Sequence, residues 1–148
     1  MGRFNLAMVP KGFTLIELLV AISIIGILSA VGFASFSQAQ KSSRDTRRME
    51  DMTAIQKALE QYYSLAGVYP NDVLFGGSLS FGTSTLMNLV PVDPKNSASY
   101  VYNYSPLAGQ TAFCLCAYLE VNAKGNASNL SCNWTSTPKN YYCVANQQ

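Results

Sequence analysis

No histidine occurs anywhere in the 148 residues. That removes the commonest general base and the commonest metal ligand together. Charge is sparse too: 10 lysines and arginines against 8 aspartates and glutamates leave a formal net charge of +2. So small an imbalance, with no basic patch interleaved with aromatics, argues against nucleic acid as a direct partner. Acids thin out along the chain, and after Asp72 only Asp93 and Glu120 remain. Proline is missing between Pro10 and Pro70. There is no C-x-x-C motif, no phosphate-binding loop and no nucleophile set beside a base. The expectation is therefore no catalytic residue, no metal ligand and no cofactor, and a chain that is not an enzyme.

What is present begins with "KGFTLIELLVAISIIGILSAVGFASF", Lys11 to Phe36. From Phe13 onward its only formal charge is Glu17. A helix over 13–36 would span roughly 36 Å at about 1.5 Å per residue, enough to cross a bilayer core with some tilt. A cleaved secretory signal fits poorly. The basic start is there in Arg3 and Lys11, but the apolar stretch exceeds the usual 7 to 15 or so residues and no good A-x-A site closes it. A buried core helix also fits poorly, because the run is apolar all round. A single membrane anchor is the simplest reading, yet it leaves Glu17 unexplained. A charged side chain within hydrocarbon costs about 2.5–3.5 kcal/mol on insertion scales, so such acids usually have a job and a partner.

The stretch "KGFTLIELLVAISIIGILSAV" resembles the processing and assembly signal of type IV pilins and of the related pseudopilins of type II secretion. Gly12, Phe13, Thr14, Leu15, Glu17 and the long apolar tail agree with it in type and spacing. The resemblance implies a leader over 1–12, cut by a membrane-embedded prepilin peptidase between Gly12 and Phe13, with N-methylation of the new first residue, Phe13. Glu17 then takes the place of the family's assembly glutamate. Cleavage would expose an α-amino group at the bilayer, where an ammonium and a carboxylate buried apart are both costly. Paired across two copies they neutralise each other and fix the axial step between subunits. The partners so implied are further copies of the chain in a helical filament, the prepilin peptidase and methylase, an inner-membrane assembly platform and the membrane itself. The implied location is the cytoplasmic membrane, single-pass with the N-terminus in the cytoplasm, and then an extracytoplasmic or cell-surface filament.

Helical patterning continues beyond the apolar run. Met49, Met52, Ile55, Leu59 and Tyr62 recur at three- or four-residue steps, while Arg44, Arg47, Arg48, Asp51, Lys57 and Glu60 are read as lying mostly off that stripe, with Arg47 and Asp51 spaced to pair. One helix from Phe13 to about Leu65 would be roughly 80 Å long, ended by Gly67 and Pro70 in "GVYP". Relatives of this kind often carry a helix-breaking proline where Ala34 stands, so no sharp kink is expected. Gly26 and Gly32 weaken the helix by about 1 kcal/mol each relative to alanine.

The fold class expected is α+β. A long N-terminal helix, membrane-crossing over 13–36 and amphipathic over 37–66, packs against a small antiparallel β head over 67–148. Residues 73–94 read as loop, with a short helix or apolar turn in "LMNLVPVDP". Strands are expected in "SYVYNY", where Tyr100, Tyr102 and Tyr104 share a face, in "AFCLCAYLEV" and in "YYCVA", with "SPLAGQ" as a hairpin turn. The aliphatic face of "AFCLCAYLEV" should press on the helix, putting Cys114 and Cys116 on the outer face or beside the next strand.

The cysteines Cys114, Cys116, Cys132 and Cys143 all lie in the last third. An even count beside a membrane segment fits an oxidising compartment. Residues i and i+2 of a strand point in parallel and bridge badly, so Cys114 and Cys116 are expected to bond to Cys132 and Cys143, in an order left open. The C-x-C spacing does not match zinc-ribbon patterns. Pseudopilin heads typically hold calcium with late carboxylates. Calcium wants about six to eight oxygens, usually with several carboxylates, and Asp93 and Glu120 are too few. A pilus-like filament subunit is therefore preferred. The alternatives are a major pseudopilin of a type II secretion or competence system, and a membrane-tethered extracytoplasmic binding module.

Overall fold

The computed structural model describes residues 12–121 and 124–147. Arg3, Lys11 and the leader expected over 1–12, apart from Gly12, lie outside the described residues. Two compact units meet between Gln38 and Ala39. A single helix, α1, runs from Leu15 to Ala66. It starts two residues later than the sequence pattern predicts and continues without a break through Ala34. In the first unit its large apolar side chains are exposed on every side, from Leu15 to Phe36. This part of α1 is long and apolar enough to cross a membrane.

The second unit is the α+β head. It holds a two-stranded antiparallel hairpin, β1 (Leu79–Phe81) and β2 (Ser84–Met87), and a three-stranded antiparallel sheet. The sheet comprises β3 (Asn103–Pro106), β4 (Phe113–Tyr118) and β5 (Tyr141–Ala145), with β4 in the middle. Met52, Ile55 and Leu59 of α1 are fully buried against Phe113, Leu115 and Ala117 of β4, with Tyr69, Val73 and Val90 closing the core. Each buried Leu- or Phe-sized side chain contributes about 1.5–3 kcal/mol. At the end of α1, Gly67 takes φ +72° and donates its N–H to Tyr63 O at 2.8 Å. That left-handed turn costs glycine nothing. It delivers Tyr69 into the core edge-on to Phe113, with its hydroxyl 3.0 Å from a Glu60 carboxylate oxygen.

Several expectations need correction. Residues 73–94 are not all loop. Gly82, at φ +60°, turns the chain between β1 and β2, whose serines, threonines and exposed positions conceal the strand period. "LMNLVPVDP" forms no helix: Leu86 and Met87 end β2, and Val90 exchanges backbone hydrogen bonds with Gly76 and Gly77. Tyr100, Tyr102 and Tyr104 do not share a face. Positive φ at Asn96 and Ala98 reverses the chain before β3. Tyr102 and Tyr104 then join the core, while Tyr100 stacks edge-on against Tyr118. Cys114 and Cys116 stand beside β5, one of the two places expected, but the face they occupy is not open. They are fully buried beneath Ala127 and its neighbours in a second small core.

Candidate functional site

The start and the middle of α1 carry different chemistry. At its start, Thr14 immediately precedes the helix and Glu17 is its third residue. This T-x-x-E spacing makes a capping box. Glu17 N donates to Thr14 Oγ1 at 3.3 Å, and Thr14 N donates to Glu17 Oε2 at 2.9 Å. The Thr14 hydroxyl adds a second bond to the same oxygen at 2.7 Å. Both Thr14 bonds fall on Oε2, and Oε1 takes none among the described residues. Phe13 and Gly12 precede the cap, exposed, and a Cβ placed on Gly12 would meet no described atom within 4 Å. No packing within the described residues calls for glycine there. The sequence reading singled out Glu17 for its charge and missed the cap, although its spacing is visible in "TLIE".

Within the head, α1 carries a buried ionic cluster built on Arg48, which the sequence pattern was read as leaving off the core stripe. Arg48 and Asp45 are both fully buried. Arg48 grips Asp93 through two bonds, at 2.6 and 2.9 Å, and also donates to Asp45 at 2.7 Å and Glu120 at 3.0 Å. Arg44 holds Glu120 by its own fork, at 2.6 and 2.8 Å. The other oxygens are used as well: Asp45 accepts the backbone N–H groups of Glu120 and Val121, and Asp93 accepts that of Lys95. With Lys95 ammonium 3.8 Å from Glu120, three cations face three carboxylates. Lys95 and Arg48 also lie over the Tyr100 ring.

This balance sets the local titration. Hydrogen bonds from Arg44, and then from Arg48, hold the Glu120 carboxyl down at about 2 against its burial. Burial pushes Asp93 up, but Arg48 and the Lys95 N–H bring it below the ordinary carboxylate range. Asp51 does not form the expected pair with Arg47. It accepts the Tyr102 hydroxyl at 2.6 Å, and burial leaves its carboxyl raised. The signal for the cluster was phase: Arg48 stands four residues before Met52 on the core stripe, and the two late acids are its partners.

The cysteines pair as Cys114–Cys132 and Cys116–Cys143. All four sulfurs lie within 4.8 Å of one another, but disulfide sulfur is not the thiolate that binds metal. Cys116 and Cys143 are direct partners across β4 and β5. The backbone N–H and C=O of Cys143 turn outward, where the Asn126 carboxamide takes both, at 2.8 and 2.9 Å. One arm of the C-terminal segment is thus fixed by sulfur and the other by an amide.

Residues 9–33 match the model of the prokaryotic N-terminal methylation motif. The chain is 34% identical over 87 residues to a fimbrial protein of Eikenella corrodens, covering 59% of this chain and 57% of that protein. It is 29% identical over 124 residues to the type IV major pilin of Myxococcus xanthus, covering 84% and 49%. It is 27% identical over 134 residues to the type IV major fimbrial protein of Dichelobacter nodosus, covering 87% and 82%. The match thus spans about half the length of the first two relatives and most of the third. No solved structure matches the chain. The chain is thus similar to fimbrial and type IV pilin proteins, and its first apolar segment carries the methylation motif.

Proposed function

We propose that the chain is the structural subunit of a type IV pilus-like filament. In this reading a prepilin peptidase removes 1–12 between Gly12 and Phe13, and Phe13 is N-methylated. Residues 13–36 hold the subunit in the cytoplasmic membrane, N-terminus inward, until the assembly platform draws it into the growing fibre. Glu17 meets the amino group of Phe13 on a neighbouring copy, which sets the axial step. The names of the relatives support the filament, and the apolar half of α1 supports the membrane stage.

The observation that carries this reading is Glu17 itself: a carboxylate at the third residue of α1, in the part of that helix whose large apolar side chains are exposed from Leu15 to Phe36, with Oε1 left open by the cap. Hydrocarbon around such a group penalises the lone subunit, and a partner's ammonium relieves part of that cost. The test is intact-mass spectrometry of the native protein. The expected species starts at Phe13 and carries one methyl group. Filaments built from chains that keep their first dozen residues would overturn the proposal.

A further inference from the structure

We propose that the four cysteines have a second state: in the reduced chain Cys114, Cys116, Cys132 and Cys143 form a tetrathiolate site for one soft divalent cation of the zinc class. Zinc in structural sites takes thiolates at about 2.3 Å in a tetrahedron, which puts neighbouring sulfurs about 3.8 Å apart. Sulfurs of different bridges already approach that spacing. Cys114 Sγ and Cys116 Sγ are 3.4 Å apart, and all four sulfurs lie within 4.8 Å of one another. Two disulfides constrain an unfolded chain equally well at separate places; here they converge on one point.

The bridges themselves do not do the gathering. Cys114 and Cys116 share a face of β4 because they are two residues apart, and Cys143 stands opposite Cys116 in the β4–β5 ladder. Parallel side chains at i and i+2 bridge each other badly, yet both can ligate one ion. Cys132 comes from the segment that covers this face. It sits at φ +55°, in a turn where Asn129 Oδ1 accepts the Ser131 and Asn133 N–H groups at 3.0 and 3.3 Å. The main core packs on the opposite face of β4, through Phe113, Leu115 and Ala117. Opening the bridges therefore leaves the strands and the turn in place.

The reduced site has little else to hold it, since its small core is the cysteines themselves with Ala127 and Tyr141. The sulfurs face the carbonyl oxygens of Leu130, Asn129 and Val144 at 3.3 to 3.9 Å. A thiol is a weak donor, so these contacts compete little with a metal. A ligand set made of sulfur alone selects zinc over calcium or magnesium. Disulfide and metal exclude each other, so the compartment decides between them: thiols stay reduced in the cytosol and pair in an oxidising space.

The detergent-solubilised full-length chain tests the site. It is reduced anaerobically with a phosphine, which takes up the oxygen of one water per bridge and leaves two thiols, and the phosphine is removed. Cobalt(II) is added as a spectroscopic stand-in for zinc. The expected result is one ion per chain, with the sulfur-to-cobalt charge-transfer and tetrahedral d–d bands of four thiolates, displaced by zinc. The oxidised chain should show neither band. Zinc should also raise the urea midpoint of the reduced chain, as any ligand of the folded state does. Cys132→Ser should weaken zinc binding roughly tenfold or more, since losing even an outer partner of a ligand costs that much. A reduced chain without the charge-transfer band would overturn the site. Undiminished binding by Cys132→Ser would overturn it as well, and an unchanged urea midpoint would assign the binding to unfolded thiols instead. None of these outcomes bears on the filament reading.

Discussion

The guanidinium of Arg48 and the carboxylate of Asp93 meet as a two-bond fork, Nε to Oδ2 at 2.6 Å and Nη2 to Oδ1 at 2.9 Å, with both side chains fully buried. Asp93 lies in the segment that follows the β1–β2 hairpin, and Glu120 lies just beyond β4. One helical arginine thereby fixes two chain segments at once. A buried ion pair is seldom worth more than apolar residues of the same volume, but it is costly to break from one side.

Arg48→Met should destabilise the head by about 3–5 kcal/mol, because it leaves Asp93 and Asp45 buried without their cation. Urea denaturation of the detergent-solubilised chain, followed by circular dichroism, measures it. A loss below about 1 kcal/mol, the range of surface pairs, would show that the cluster is solvated after all.

Acid should weaken the head over a defined window. Glu120 is held at about 2 in the folded chain, against about 4.3 unfolded. Its stabilising contribution is full above the unfolded value and is lost as pH falls from about 4.3 through about 2. Asp93, also lowered, acts with the same sign. Asp51, raised by burial, acts with the opposite sign and flattens the slope. Urea midpoints taken across this range should decline, and Glu120→Gln should remove part of the decline. A midpoint indifferent to pH there would contradict the bonding described.

Replacing Cys114 and Cys132 together by alanine should cost about 2–4 kcal/mol, most of it through a less constrained unfolded chain. Cys116–Cys143 still joins β4 to β5 in that variant, so the sheet should persist. Thermal melts with and without reductant measure the effect. Equal stability of the variant and the oxidised parent would contradict it.

Glu17→Gln should leave the chain in the membrane fraction and sharply reduce filament yield. A hydrogen bond to a charged group contributes about 1.5–3 kcal/mol, so each subunit added would be disfavoured roughly tenfold to a hundredfold. Sheared-filament yield against total membrane protein is the measurement. Normal yield would remove Glu17 from assembly.

Local rules made much of the architecture legible. The stripe at Met52, Ile55 and Leu59 announced the buried face of α1, and Gly67 announced its end. The alternation in "AFCLCAY" gave both faces of β4, and parallel side chains at i and i+2 excluded a Cys114–Cys116 bridge. What stayed hidden depends on distant partners. Arg48 looks like a surface charge until Asp93 and Glu120 are brought to it from 45 and 72 residues away. Hairpin β1–β2 has strands of only three and four residues, mixing Ser80, Ser84 and Thr85 with Leu79, Phe81, Leu86 and Met87, too short for a period to stand out. The outward side of β4 seemed free for solvent because nothing in 126–133 reads as a covering layer, yet Ala127 is fully buried there.

The last strand of the chain, β5, completes the sheet beside a central strand laid down far earlier. Cys116 waits for a sulfur 27 positions downstream, and the Cys143 amide waits for Asn126. The head therefore cannot close until β5 has joined β4. Without β5 the central strand β4 would keep one edge unpaired.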